Sequence, residues 1–239
     1  MNSDDDYTDV GASGAFSELQ LHHVQYFHYM GKQQENVHLF YIINEIMNIE
    51  FYIFMINTLR MMNPDDKAFI YFNSPGGEVD IGMQIINAMN ESAGEITTVL
   101  DSKAHSIAAV MFLSGHVRIV QPNSAMMLHN YSATVHGKGH ELVQSINGFN
   151  ASITLLMFDT IGDFLSEDER NKLIDGKDFW FTSKEVSERL QRCEDDEKAE
   201  ILQEEKDLLL SSIDDINERL AEIDKLLESD SNEKCPGSD

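Results

Sequence analysis

Lys67-Ala68-Phe69-Ile70-Tyr71-Phe72-Asn73-Ser74-Pro75-Gly76-Gly77-Glu78-Val79 is the stretch on which the fold turns. Lys67–Phe72 is apolar and aromatic, the composition of a buried strand. It runs straight into Ser74-Pro75-Gly76-Gly77, and Ile81–Met89 then carries apolar residues at helical spacing, with Gly94 as the stop. Strand, diglycine turn and helix follow one another without a linker. Gly76 and Gly77 permit backbone conformations that a Cβ forbids and let another chain approach closely. Taken alone, Pro75-Gly76 supports only a tight turn.

Upstream, Val37–Ile43 reads as another buried strand, and Asn44–Met62 as a helix through Ile49, Ile53, Ile56 and Leu59 that ends at Asn63-Pro64-Asp65-Asp66. Downstream, Ile96–Leu100 is a third strand, and Ala104–Ser114, small and apolar, a buried helix. Val117–Val120 and Ala125–Leu128 are short strands around Gln121-Pro122-Asn123-Ser124, and Gly139–Ile161 is a long helix. Ser166-Glu167-Asp168-Glu169 and Thr182-Ser183-Lys184-Glu185 each open a helix with a capping box. Strands alternating with helices predict an α/β domain with parallel strands and right-handed crossovers.

The ends differ from this core. Residues 1–36 form an acidic arm, rich in Gly and Ser over residues 1–20; 37–192 is the α/β domain; 193–230 is an acidic amphipathic helix; 231–239 is a disordered tail. In the helix, Leu202, Leu209, Ile216 and Ile223 sit seven apart, and Ile213, Leu220 and Leu227 interleave at four-then-three spacing, with Lys206 as the one polar break. That is a heptad seam over roughly four heptads, which predicts a coiled coil or helix pair. An amphipathic helix folded back on its own domain is the alternative.

The chain has 239 residues, 42 acidic against 17 basic, a net charge of −25. Such a surface repels phosphate backbones and anionic lipid, so no nucleic-acid or membrane partner is expected. No apolar run reaches the ~18–20 residues that span a bilayer, and no leader-like segment opens the chain, which therefore reads as cytoplasmic. Cys193 and Cys235 cannot make a disulfide framework. His136 and His140 lack a third metal ligand, His22, His23 and His28 share that problem, and Gly137-Lys138-Gly139 is not a phosphate loop. Neither a metal nor any other cofactor is expected.

Four places carry candidate chemistry. The diglycine turn is the first. The second is Ala104-His105-Ser106-Ile107-Ala108-Ala109, where a serine between a strand and a small-residue helix stands as a nucleophile elbow does and the Ile107 N–H can face a developing oxyanion. A plain helix cap is the ordinary role of such a serine. His105 adjoins Ser106 but faces elsewhere, so it is not the expected base. Third, His129 ends an apolar strand, where one ring nitrogen can be reached as a general base. Fourth, Asp178 precedes Phe179-Trp180-Phe181, where it is expected to be poorly solvated and to orient the histidine.

In this order and spacing, across Val37–Leu190, these segments resemble the ClpP serine peptidase family, whose core is shared with the crotonase-like proteins. Residues 67–89 are similar to its strand–Ser-Pro-Gly-Gly–helix unit, 102–115 to its nucleophile helix, 121–130 to its Pro-Asn-Ser…Met-x-His segment, and 178–186 to its Asp-x-aromatic-x-Ser/Thr segment. The resemblance implies stacked βαβ units with a protruding strand–helix handle. It implies Ser106 as nucleophile, His129 as base, Asp178 as orienting acid, and an oxyanion hole from the N–H groups of Gly77 and Ile107. Gly76, Glu78 and Val79 on one side, and Asn130 and Tyr131 on the other, would hold an extended peptide. It further implies a homo-oligomeric ring, heptameric or of stacked heptamers, that degrades peptides or unfolded protein. Folded substrates would need a separate ATP-driven unfoldase or a dedicated protein partner.

The sequence departs from the family at Ser102, where Gly is usual, at Ile107-Ala108 in place of Met-Gly, at His129-Asn130-Tyr131 in place of His-Gln-Pro, and in the added heptad helix. Such divergence suits a phage-encoded or otherwise specialised relative. A catalytically silent ring that scaffolds partners through the acidic helix is the second expectation. A crotonase-like acyl-CoA enzyme is the third, disfavoured because nothing basic is placed to hold a CoA phosphate.

Overall fold

The structure, a computed structural model, describes residues 24–30 and 36–233. The expected arm over residues 1–20, His22, His23 and the last six residues of the tail lie outside the described residues.

The chain divides into two compact units, Met1–Ser187 and Glu188–Asp239. The first is built on one seven-stranded sheet. Its strands are β1 (Val24–Met30), β2 (Asn36–Ile43), β3 (Lys67–Ser74), β4 (Glu95–His105), β5 (Val117–Val120), β6 (Ala125–Leu128) and β7 (Phe179–Thr182). Its helices are α1 (Ile53–Arg60), α2 (Val79–Glu91), α3 (Ile107–Leu113), α4 (Gly139–Ile161) and α5 (Glu167–Ile174), and α6 (Ser183–Glu233) starts there. The order is β1-β2-β3-β4-β6-β7, with β5 also on β4. All pairs from β2 through β6 are parallel, as the alternation of strands and helices predicts, and β1 and β7 close the edges antiparallel.

Strand β4 organises the sheet. Asp101 and Ser102 interrupt its register with β3, whose Phe72 faces Leu100 and whose Asn73 faces Lys103. On its other side β4 pairs with β5 over Thr97–Leu100 and with β6 over Lys103–His105. An irregularity of this kind re-aims a strand, and here it gives β4 a second neighbour.

Alternation on β3 buries Ala68, Ile70, Phe72 and Ser74 fully. All seven residues of α3 are buried, as befits a helix that is apolar all round. Phe112 of α3 meets Phe72 edge-on at 6.4 Å, and the buried Thr98 hydroxyl donates to the Phe112 carbonyl at 2.7 Å, fixing α3 on β4. Asp66 closes the turn before β3. Its carboxylate accepts from the backbone N–H and side-chain amide of both Asn36 and Asn63, at 2.8–3.2 Å. Burial pushes its carboxyl up, but these four bonds outweigh that and hold it below its usual value.

Several elements differ from the sequence expectation. The helix expected over Asn44–Met62 begins only at Ile53, after a 3-10 turn at Ile49–Phe51. Asn44 and Asn48 take φ of 63° and 59°, the left-handed region that asparagine tolerates and a helix cannot contain. The expected helix Ala104–Ser114 loses its first residues to β4, because Ala104 and His105 find partners on β6. Residues 24–30 form a strand where none was expected, and so does Phe179–Thr182. Residues 129–138 have no regular structure before α4. The capping boxes expected at Ser166 and Thr182 form: Ser166 Oγ accepts from the Glu169 N–H at 3.3 Å, and Thr182 Oγ1 from the Glu185 N–H at 3.4 Å.

Helix α6 runs unbroken for 51 residues and contains the whole heptad segment. Among the described residues no helix is long and apolar enough to cross a membrane.

Candidate active site

Ser106 is the residue between β4 and α3, and it takes φ 56° and ψ −130°. A side-chain-bearing residue holds such a conformation only when its surroundings impose it, at a cost of about 1–3 kcal/mol. Both sides are anchored. The Ser106 N–H donates to the Met127 carbonyl at 2.9 Å, and the Ser106 carbonyl accepts from Ala109 N–H at 2.9 Å in the first turn of α3. The half-buried hydroxyl makes no hydrogen bond among the described residues.

The diglycine turn lies directly against this junction. A Cβ on Gly76, whose φ is 95°, would stand 2.6 Å from the His105 carbonyl oxygen and 2.7 Å from the Ser106 Cβ. Only glycine permits that approach. The turn is braced from behind. The buried Ser74 hydroxyl donates to the Asn44 carbonyl at 2.5 Å and accepts the Gly76 N–H at 3.1 Å. The Ile46 N–H donates to the Gly76 carbonyl, and the Glu78 N–H to the Ile46 carbonyl, both at 2.8 Å. A Cβ on Gly77 would run into the Ile46 backbone. Between these bonds the Gly77 N–H has no acceptor among the described residues, nor has the N–H of Ile107 at the start of α3.

The sheet register brings the other two expected residues to the same corner. In β4 and β6, His105 faces Met127; in β6 and β7, Leu128 faces Phe179. Ser106 directly follows β4, His129 directly follows β6 and Asp178 directly precedes β7. Ser106, His129 and Asp178 thus stand at the same end of three adjacent strands. Their side chains are not joined: among the described residues no hydrogen bond links Ser106 to His129 or His129 to Asp178.

Asp178 is exposed, which corrects the expectation that three aromatics shield it. Alternation on β7 sends Phe179 and Phe181 into the core, 8% and 5% exposed, and leaves Trp180 outside at 61%. His105 packs against β7. Its ring meets Trp180 edge-on at 5.1 Å, and its Nε2 is buried without a partner. Burial, and then the charge of Lys103, hold its pKa below the ordinary histidine value.

The expected peptide-holding residues are partly committed already. Glu78 gives its N–H to Ile46. The Asn130 amide donates to the Ile174 carbonyl at 3.1 Å and its oxygen accepts the Tyr131 N–H at 2.9 Å; the Tyr131 hydroxyl donates to Asn150 Oδ1 at 2.6 Å. Val79 opens α2, half-buried. Ile46 is the site residue that sequence reading missed. It sat inside the expected helix, and only its pairing with Gly77 across the chain reveals it.

A strained serine at a strand–helix junction and a diglycine turn packed on it thus stand at one end of the sheet, with a histidine and an aspartate at neighbouring strand ends. The family model described as Clp protease matches residues 33–188, more than half of the chain and all of the sheet from β2 onward. This chain belongs to the Clp protease family, a family of peptidases.

Proposed function

We propose that the protein is a serine endopeptidase in which Ser106 attacks a peptide carbonyl. His129 takes the hydroxyl proton and later gives it to the leaving amine. Asp178 holds the imidazole by its second nitrogen, and the N–H groups of Gly77 and Ile107 stabilise the tetrahedral oxyanion. An acyl-enzyme forms on Ser106 and water releases it. An extended peptide lies between the Gly76–Val79 turn and the segment after His129, bound in part through its backbone. Within a homo-oligomeric ring such sites are reached by peptides and unfolded chains, and a separate ATP-driven unfoldase or a dedicated partner supplies folded substrates.

The observation that carries this reading is the conformation of Ser106, a φ of 56° held against the Gly76 turn. A serine that merely caps a helix takes ordinary extended angles. The strained angle and the closeness of the diglycine turn support the role of a nucleophile elbow for Ser106. The missing contacts among Ser106, His129 and Asp178 do not count against it, because catalytic hydrogen bonds often close only in the complex with substrate.

A fluorophosphonate probe and an unfolded casein substrate test it together. Labelling and cleavage by wild type, both abolished in Ser106→Ala, are expected. Cleavage that persists in Ser106→Ala would remove Ser106 from the role. Wild type that neither labels nor cleaves favours the second reading, a silent ring that scaffolds partners, which the unjoined side chains motivate.

A further inference from the structure

The apolar stripe of α6 is not needed by the peptidase reading. Leu202, Leu209, Ile213, Ile216, Leu220 and Ile223 lie on one helix and are 43–65% exposed. Covering these leucine and isoleucine side chains would remove apolar surface from water and favour association. In heptad terms Leu202, Leu209, Ile216 and Ile223 are d positions, and Lys206, Ile213 and Leu220 are a positions.

The charges decide what covers this seam. Over residues 198–223 the outward b, c and f positions carry seven acidic residues, Glu200, Glu204, Asp207, Asp214, Asp215, Glu218 and Glu222, and no basic one. The e and g positions that flank the seam are Lys198, Gln203, Glu205, Leu210, Ser212, Asn217 and Arg219, with one acid among them. A segment this acidic that paired with a basic partner would carry its acids at e and g, where they meet the other helix. Here the acids are withdrawn from the seam's borders. That is the pattern a chain needs when its partner bears the same charges.

We infer that α6 pairs in parallel, in register, with α6 of a second copy of this chain. In that alignment each g residue meets the e residue five places on. Lys198 then meets Gln203 of the second copy, Glu205 meets Leu210, and Ser212 meets Asn217, so no like charges meet at these flanking pairs. Lys206 is the one polar a position; in this alignment it faces Lys206 of the second copy, the one like-charge contact at the seam, which specifies the register at a cost in stability. It lies beside Glu205 of the second copy, which offsets part of that cost. Ile201, Leu208 and Leu210, also exposed, widen the stripe over its first heptads, enough for more than one neighbouring helix.

The test is disulfide trapping in the full chain carrying Cys193→Ser and Cys235→Ser. Two cysteines close without backbone movement only when their Cβ atoms come within about 4.5 Å. Ile213→Cys, and separately Leu202→Cys, are expected to give a linked pair on mild oxidation; Ser211→Cys, on the outward face, is not. Adding Leu209→Glu and Ile216→Glu to the Ile213→Cys chain is expected to abolish the link while the far-ultraviolet helix signal is retained. No link at Ile213→Cys, or an equal one at Ser211→Cys, overturns the pairing. A link at Ile213→Cys without one at Leu202→Cys overturns the parallel register. None of these readouts involves peptidase activity, so the pairing and the Ser106 chemistry stand or fall separately.

Discussion

At the Ser106 end of the site the backbone is held by the Met127 carbonyl, by the first turn of α3 and by a glycine turn that Ser74 and Ile46 brace. One strand away, past His129 and before Asp178, the chain leaves the sheet, the carboxylate is exposed and no hydrogen bond joins the two residues. The difference separates two tasks. Nucleophile and oxyanion donors depend on backbone angles, which must be set during folding. In the proposed mechanism the base and its orienting acid are side chains on the residue just after β6 and the residue just before β7, and they close when substrate fills the corner.

The largest expected effect falls on the pinned half. Ser106→Ala and Ser106→Gly should both lower peptide hydrolysis by about ten-thousand-fold or more, measured as kcat/KM on a fluorogenic peptide. They should differ in stability. Alanine keeps the disfavoured angles and glycine relieves them, so Ser106→Gly should melt higher than Ser106→Ala, by about 1 kcal/mol in urea titration. Equal stabilities would mean that the junction stores no strain, and the contrast between the two halves would lose its basis.

Gly76→Ala comes next. Its Cβ must displace the His105–Ser106 backbone or the turn, at a φ of 95° that alanine avoids. Shifting the Gly77 N–H should cost about a hundred- to a thousand-fold in kcat, the effect of losing one oxyanion donor, with less change in KM. Asp178→Asn should act more weakly, by about a hundred-fold at the low end of general acid–base effects, because an exposed carboxylate steers its histidine through competing water. A loss as large as that of Ser106→Ala would show that the acid becomes buried in the working enzyme.

The pinned half was also the more legible in sequence. The strand–diglycine–helix unit is local, and Ser106 stands out because a strand pattern meets a small-residue helix pattern around it. Its positive φ was not readable, since it follows from β4 continuing to His105 to pair with β6. Ala104 and His105 suit a helix as well as a strand, and the neighbouring strand decided. Ile46 was hidden for the same reason: its role is a bridge to Gly77 thirty-one residues on. At the other half, β7 has four residues, too few for a period-of-two signal, so Asp178 was read from its aromatic neighbours and its exposure was misjudged. The heptads of α6 were legible because a period repeated over many turns needs no tertiary context.

The smallest effect lies where the halves touch. His105 belongs to β4, and its ring packs on Trp180 of β7, with Lys103 as the neighbouring charge. Its pKa is lowered in the fold, so folded and unfolded chains hold it equally neutral above its ordinary value of about 6.5. As pH falls below that value the unfolded chain takes up the proton more readily, and the fold loses stability until the folded pKa is passed. His105→Phe keeps an edge-on ring against Trp180 and removes the titration, so its melting temperature should fall less than that of wild type between pH 7 and pH 5. Since other groups titrate in both proteins, the difference between the two curves is the quantity to read. Parallel curves would mean that the ring leaves Trp180 and meets water, and that the corner between β4 and β7 is as open as the His129–Asp178 end.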